Sequence, residues 1–594
     1  MSDGSQQTRL GYVLESSPSS ICIELDSDSI LLEHKEDLQI GKFLLVACGH
    51  ITQLVCTIQS IKATHRIIGE GNLELKFVVN AKPVGVYSRA DGFARGSKRF
   101  PVPTEPAYKM DADILSAIYA SSGTANFRVG RLSQNPDVDL TADGDKLFSK
   151  HIAIVGSTGS GKSCTVARII QDVVGVSHGK NKYKNEQRNS HVVIFDIHSE
   201  YKATFELEGT ENFTLNNLDV SNLALPYWMM NSDELETLFI ESSENGSYNQ
   251  VSQFRHAVIR NKEIHNPGVK DVAFDTPIYF SIEEVCHYID NMNNEVIGKA
   301  KGQNLPKLHD DTLVEDRNKY FSGKLEFAQT SRSDATKASP GPYNGDFDRL
   351  HMRLVNKIAD KRLKFIFDAK TSSGAYPKTD DFSDIIKQFI GYTNKSNVTI
   401  LDLSGVPHEV LDIVVSLVSR LMFEFCFNYS KIKHASGALN DVPVMLVCEE
   451  AHNYVPRVGK SSHAASRQSI ERIAKEGRKY GITLMVVSQR PSEVSETIFS
   501  QCSNFISLRL TNQNDQNYIK SLLPDMADGV GEILPNLAQG EFLIVGDAVL
   551  IPSVGVADRP NPEPHSQSIP YLSEWKKLWM DVDFQGVVKR WRKE

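Results

Sequence analysis

The sequence has no paired cysteines. Its eight stand singly, at positions 22, 48, 56, 164, 286, 426, 448 and 502, and no two are spaced Cys-x-x-Cys. This excludes a disulfide-stapled secreted scaffold and gives no support to a structural zinc site. Cys22, Cys56, Cys426 and Cys448 lie inside apolar runs, where a reduced thiol behaves as a small hydrophobe. Positive charge is also short: 65 Lys and Arg stand against 74 Asp and Glu, for a formal net charge of -9. The molecule as a whole is therefore no basic nucleic-acid binder, and any such contact must come from a local patch or a pore multiplied by symmetry. Met1 to Arg9 is polar and has no apolar h-region, so no signal peptide is read there. The most apolar stretch, Leu411 to Tyr429, is interrupted by Asp412, Arg420 and Glu424, and reads as a buried helix rather than a membrane span. There is no clear internal repeat and no recognisable acidic nuclease cluster. The expectation is a soluble cytoplasmic protein with no membrane partner.

What is present is ordinary globular material. Hydrophobic residues make up 40% of 594, enough for sizeable cores in three or four structural units. Between residue 10 and about 100, short β-branched or alternating runs (Ile21 to Leu25, Phe43 to Ala47, Leu54 to Ile58, Leu75 to Val79) are separated by turn signals. They predict a small antiparallel barrel over 1–100. A Pro-containing connector, 101–145, follows. From His151 the pattern becomes α/β: continuous apolar strands at 152–155, 192–195, 398–401, 444–447, 482–487 and 505–508 alternate with helical stretches. Such runs are strands buried on both faces of a parallel sheet. The predicted core spans 146–204 and 396–556. The intervening 205–395 is polar and reads as a mostly helical insertion with one flexible loop near Ser331 to Asn344. A strand pair around Phe542 to Val554 and a Pro-rich link lead to an aromatic, basic helix, Tyr571 to Lys593, within 557–594.

The first apolar strand runs into Gly156-Ser157-Thr158-Gly159-Ser160-Gly161-Lys162-Ser163, with Cys164 next in a following helix. Glycines at this spacing let backbone N–H groups converge on phosphate oxygens at the positive end of a helix. Lys162 would reach the β- and γ-phosphates, and the Ser163 hydroxyl would ligate Mg²⁺. The ligands implied are therefore ATP and Mg²⁺. Glu449 and Glu450 follow the strand Val444 to Cys448 directly, at the carboxyl end where a parallel sheet binds its ligand. Glu449 would hold Mg²⁺ through water and Glu450 would polarise the attacking water; the same acids would also suit a helix N-terminus. Asp196 ends the second strand within Asp-Ile-His-Ser-Glu-Tyr, placed either to position water or Mg²⁺ or to cap its own loop. Gln489, in Ser-Gln-Arg-Pro, would sense the γ-phosphate without adding charge. Arg472, Lys475, Arg478 and Lys479 form a basic stretch that either faces solvent or offers a guanidinium across a subunit interface.

Taken in order, the P-loop, Asp-Ile-His-Ser-Glu-Tyr, Leu-Asp-Leu-Ser-Gly-Val-Pro (401–407), Glu-Glu-Ala-His-Asn-Tyr-Val-Pro (449–456), Ala-Lys-Glu-Gly-Arg-Lys-Tyr-Gly (474–481) and Ser-Gln-Arg-Pro resemble the HerA family of the HerA–FtsK ATPases. The resemblance covers most of 10–560, the barrel included, and is weakest over 205–395. It implies a RecA-like homo-hexameric ring that moves double-stranded DNA through its channel, with Lys162, Ser163, Glu449, Glu450 and Gln489 catalytic. Arg478 is the first choice for an arginine acting on a neighbour's site, ahead of Arg472, Arg509 and Lys150. Glu449 departs mildly from the more usual Asp. Such proteins commonly work with a separately encoded nuclease in DNA end processing, or with effectors such as sirtuin-like NAD hydrolases in defence against phage. The alternatives are an ATPase ring serving as scaffold for an effector enzyme, and a secretion or conjugation pump. A basic stretch with Lys180, Lys182, Lys184 and Arg188 around Tyr183 is a candidate for phosphate contact.

Overall fold

The structure, a computed structural model, describes residues 7–49, 51–68, 72–120, 125–176, 189–207, 213–240, 247–371, 374–457, 464–523, 530–566 and 569–592. The expected barrel is built from strands β1 (Arg9–Ser16), β2 (Ile21–Leu25), β3 (Phe43–Cys48), β4 (Thr52–Ile68), β5 (Asn72–Ser88), β6 (Gly92–Arg95) and β7 (Pro106–Lys109). Antiparallel pairing runs β2-β1-β7-β3-β4-β5, and β5 pairs back onto β2, closing six strands into a ring with β6 on its rim. Inward residues of each strand, among them Leu10, Ile23, Leu44, Leu54 and Val79, fill the interior. The connector contributes more than its prolines suggest. Pro106 opens β7, a strand position that needs no proline N–H, and β7 bridges β1 and β3.

The connector also supplies the hairpin β8 (Ala125–Leu132) and β9 (Asn135–Asp143), which joins the second sheet with β10 (His151–Val155), β11 (His191–Asp196) and β12 (Leu215–Leu218). Within the insertion, β13 (Val296–Gly298), β14 (Leu305–Pro306) and β15 (Ala338–Pro340) form a small separate sheet. The main sheet is completed by β16 (Val398–Asp402), β17 (Val444–Cys448), β18 (Ile482–Ser488), β19 (Cys502–Leu508), β20 (Glu541–Gly546) and β21 (Ser553–Val556). Its order is β12-β16-β11-β17-β18-β10-β19-β20-β21-β8-β9. The pairs from β12 through β19 are parallel and those beyond β19 antiparallel. The sequence logic is visible in burial: every residue of β10, β17 and β18 is buried, as strands covered on both faces require. The fold is α/β, a largely parallel core sheet carrying an N-terminal antiparallel barrel.

Two contacts tie these elements together. His151, buried at the start of β10, accepts a hydrogen bond from the Leu484 N–H at 2.9 Å through Nδ1, and its Nε2 donates to the Ala474 carbonyl at 2.9 Å. Burial, with Arg478 nearby, pushes its pKa down to about 4, so the ring is a neutral strut. The helix His408–Ala435 is joined to the insertion by Arg420, whose guanidinium meets the buried Glu234 carboxylate at 2.8 Å. The insertion is helical as expected, with Ser232–Phe239, Ser247–His265, Ile282–Asn294, Asp348–Ala359 and Phe382–Phe389. Trp228, Phe254, Phe280 and Tyr320 share one continuous core with Val155 and Phe195 of the sheet. Within the segment near Ser331 to Asn344, Ser331 exchanges backbone hydrogen bonds at 2.9 Å with Ala338, the first residue of β15.

After β21 the chain crosses the P-loop helix, Lys162–Val173. Gln171 is the anchor: its Oε1 accepts from the Asn561 N–H at 3.1 Å and its Nε2 donates to the Pro562 carbonyl at 3.1 Å. The terminal segment then forms two short helices, Tyr571–Trp575 and Phe584–Arg592, rather than one. Asp583 starts the second by accepting from the Gly586 N–H at 2.8 Å, the usual work of an N-terminal Asp.

Candidate active site

β10, β11, β17 and β18 are neighbours in the sheet, so their carboxyl ends open on one crevice, the place where parallel sheets bind ligands. The P-loop leaves β10 there. It is pinned on both sides, by the Gly156 N–H donating to the Ser488 carbonyl at 3.3 Å and the Ser157 N–H to the Arg509 carbonyl at 2.8 Å. Gly159 and Gly161 take the left-handed conformation, φ +74° and +98°, which side-chain-bearing residues avoid. A Cβ on Gly156 would lie 2.6 Å from Ser160 Oγ and 2.9 Å from Leu508 Cβ. The result is a bare backbone cradle at the N-terminus of a twelve-residue helix, suited to phosphate. Ser160 Oγ is buried in it without a hydrogen-bond partner among the described residues.

Two consecutive side chains on an extended strand point to opposite faces, yet Glu449 and Glu450 meet the same ammonium. Lys162 Nζ lies 2.9 Å from Glu449 Oε1 and 2.7 Å from Glu450 Oε1. The backbone makes this happen: Glu450 is left-handed, φ +48° and ψ +46°, which turns its side chain back toward the P-loop. Such a conformation costs a non-glycine residue about 1–3 kcal/mol, and strain of this kind collects at functional sites. All three charged groups are at most 5% exposed.

Their protonation follows from this. For Lys162, burial works against the charge, but the two carboxylates outweigh it and hold the ammonium above its ordinary range. For Glu449 burial dominates and raises the carboxyl above the usual carboxylate range, despite Lys162. For Glu450 burial again pushes upward, but the Lys162 charge and hydrogen bonds from Lys162 and Gln489 hold it below. Environments that push paired acids apart mark out distinct roles. Glu450 is the acid of the pair whose carboxylate form its neighbours favour.

Gln489 ties this acid to the P-loop. Its Nε2 donates to Glu450 Oε1, and its Oε1 accepts from the Thr158 hydroxyl. On the other side, His452 Nδ1 lies 3.3 Å from Glu450 Oε2 and 3.3 Å from Ser488 Oγ. Asp196, at the end of β11, spends its carboxylate on its own loop. It accepts from the N–H groups of His198 at 3.3 Å, Glu200 at 3.1 Å and Tyr201 at 2.9 Å, which is the capping alternative the sequence allowed. Cys164 sits beside Ser566 of the crossing C-terminal segment. Sequence reasoning gave no role to Tyr201, whose phenol donates to Glu449 Oε2 at 3.1 Å, or to Tyr454, which donates to the Glu449 carbonyl at 3.0 Å. Both tyrosines lie inside the motifs quoted above, and that is the only signal they carry.

The basic candidates divide by position. Arg478 is exposed in the turn Gly477–Tyr480 before β18, close enough to His151 to lower its pKa. It therefore stands at the opposite end of the sheet from its own P-loop. Lys150, preceding β10, is at the same end and ion-pairs with Asp547. Arg472 bonds Glu424 at 2.7 Å and lies 4.2 Å over the Phe423 ring. Arg509 follows β19 and touches its own P-loop through its carbonyl. The basic stretch Lys180 to Arg188 lies outside the described residues.

The oxygen donors Ser163 and Glu449 are hard ligands of the kind Mg²⁺ takes together with nucleotide phosphates, and the glycine cradle beside them has the space phosphates need. Among the described residues no cluster of three His, Cys, Asp or Glu would hold a metal by itself.

The chain is similar to several known proteins. The family model described as the central domain of helicase HerA matches residues 127–422. The DNA double-strand break repair helicase HerA of Sulfurisphaera tokodaii is 25% identical over 597 residues, spanning 98% of this chain and 99% of its own. Its counterpart from Sulfolobus acidocaldarius is 24% identical over 566 residues, spanning 95% and 94%. Among solved structures, the plasmid coupling protein TrwB in complex with a non-hydrolysable ATP analogue aligns over 76% of this chain and 93% of its own, at 12% identity and a TM-score of 0.41.

Proposed function

The chain belongs to the HerA family of P-loop ATPases, and from that premise we propose that it is an ATP-driven motor, a hexameric ring that moves along or unwinds double-stranded DNA. The observation that carries the hydrolytic part is Glu450, a buried acid 2.7 Å from Lys162 Nζ at the mouth of a phosphate cradle and linked through Gln489 to Thr158. In this reading Lys162 takes the β- and γ-phosphates, Gly156 to Ser163 and Cys164 line the cradle, and Glu450 accepts the proton of the attacking water. Gln489 aligns that water and reports the γ-phosphate. Ser163, and Glu449 through water, would hold Mg²⁺, which neutralises charge developing on the phosphates. Asp196 acts one step back, by fixing the loop that carries Tyr201.

The DNA part draws on relatives named as DNA double-strand break repair helicases, and the ring on the resemblance carried by the motifs. With a net charge of -9, contacts to DNA phosphates belong in a channel where six copies of a few basic residues converge. A separate nuclease or NAD-hydrolase effector would do the cutting or signalling. The setting is cytoplasmic; no helix among the described residues is long and apolar enough to cross a membrane. The scaffold alternative draws on the exposed apolar surface of the last segment, including Trp575, Trp579 and Trp591, which suits docking.

Arg478 provides the test of the ring. Lying far from its own P-loop, it acts, in this proposal, on a neighbour's nucleotide. Arg478→Ala subunits and Glu450→Gln subunits are each expected to be nearly inactive alone. Mixed, they should regain phosphate release wherever an intact Glu450 site faces an intact Arg478. No recovery at any mixing ratio would contradict a role in trans.

A further inference from the structure

Tyr201 is fully buried, and a core aromatic at that position needs no hydroxyl. Burying a phenol costs free energy unless its O–H finds a partner. This one is aimed at Glu449 Oε2, at 3.1 Å, from a residue 248 positions away in sequence. The other oxygen of the same carboxylate, Oε1, accepts from Lys162. Glu449 is thus held at both ends, by a cation and by a neutral phenol.

We propose that Tyr201 is a positioning residue that fixes the Glu449 carboxylate for its part in Mg²⁺ binding, an inference that rests on the ATPase reading above. The two donors differ in what a nucleotide does to them. Phosphate competes for the Lys162 ammonium and does not compete for a buried phenol. Once the lysine is shared with phosphate, Tyr201 is the donor that keeps the plane of the carboxylate constant. Partners of this kind orient the groups that serve a metal, and their removal typically costs roughly 10- to 100-fold in metal affinity or activity.

The delivery of Tyr201 supports the assignment. Its N–H is gripped by Asp196 Oδ2 at 2.9 Å. Two residues earlier, Ser199 adopts a left-handed conformation, φ +57°, and its hydroxyl donates to Asp402 Oδ2 at 2.8 Å. The His565 N–H donates to the Glu200 carbonyl at 2.9 Å. A strained turn tied at three points to β11, β16 and the C-terminal crossing segment places one hydroxyl against one carboxylate oxygen.

Tyr201→Phe removes only that hydroxyl. Binding of a fluorescent ADP analogue in EDTA should stay within about twofold of wild type, because the cradle and Lys162 are untouched. The tightening that Mg²⁺ brings should shrink, and the Mg²⁺ concentration for half-maximal ATPase should rise by roughly tenfold or more. Glu449→Gln should show the same losses, and the double variant should add little to either single one. A Tyr201→Phe protein with the wild-type Mg²⁺ response, or losses that add fully in the double variant, would overturn the proposal. A wild-type protein whose nucleotide binding ignores Mg²⁺ would instead overturn the metal role of Glu449, and this inference with it. A second readout, which leaves Tyr201 in place, is protein carrying 3-fluorotyrosine. One fluorine resonance should move when Mg²⁺ joins the ADP complex and stay fixed in Glu449→Gln; no moving resonance in the wild type would contradict the proposal.

Discussion

Glu450→Gln should bind ATP within about threefold of the wild-type affinity and hydrolyse it roughly 10²- to 10⁴-fold more slowly, the usual worth of a positioned general base. The amide has the shape of the carboxylate. Its oxygen still accepts from Lys162 and Gln489, and Lys162 keeps Glu449 as counter-ion at 2.9 Å, so cradle and backbone turn survive. What is lost is the group that takes a proton. In the native site Lys162 and Gln489 hold that group ionised against the cost of burial, and the glutamine has nothing to ionise. Binding of a fluorescent ATP analogue and phosphate release, measured on the same preparation, check both halves. Wild-type-like hydrolysis would transfer the base to Glu449 and sink the assignment.

Lys162→Ala is expected to do more than weaken phosphate binding. It leaves Glu449 and Glu450, each 2% exposed, with no cation between them, and breaking a buried pair in this way costs about 3–5 kcal/mol. That is a large share of the roughly 5–15 kcal/mol by which native proteins are stable. The sign of its pH dependence is fixed. Without Lys162, burial and mutual repulsion raise both carboxyls above their unfolded value of about 4.3. The folded variant then binds more protons than the unfolded chain, so its deficit relative to wild type grows as pH rises and shrinks toward acid. Adding Glu449→Gln and Glu450→Gln to Lys162→Ala should restore stability and leave the protein inactive. Denaturant unfolding at two pH values measures this; a Lys162→Ala protein as stable as wild type at both would show that the three charges are not coupled as the distances imply.

The core sheet and the centre of the site were legible because parallel strands buried on both faces are written as unbroken apolar runs, and their ends carry the chemistry. Ile152 to Val155 leads to the cradle, Val444 to Cys448 to the two acids, and Ile482 to Ser488 to Gln489, and the structure brings these ends together. The connector strands were not legible. β7 has four residues, too few to establish a period, and its partners β1 and β3 lie far back in the chain. β12 is equally short and pairs with β16 at the edge of the sheet. Within the site, the roles of Asp196 and Tyr201 depended on a turn whose conformation no pattern announces. Asp196 sits where a metal or water ligand would, yet its oxygens are consumed by three local N–H groups, while the phenol five residues later reaches Glu449. Arg478 precedes β18 whereas the P-loop follows β10, and the parallel pairing of these two strands puts them at opposite ends of the sheet.

Steady-state phosphate release from Mg²⁺ and ATP, with and without linear double-stranded DNA over a series of salt concentrations, bears most directly on the proposed motor. Turnover should rise several-fold with duplex and lose that stimulation as salt releases the phosphate contacts. Turnover that is the same with and without duplex at every salt concentration would contradict the motor and leave an ATPase ring serving another protein.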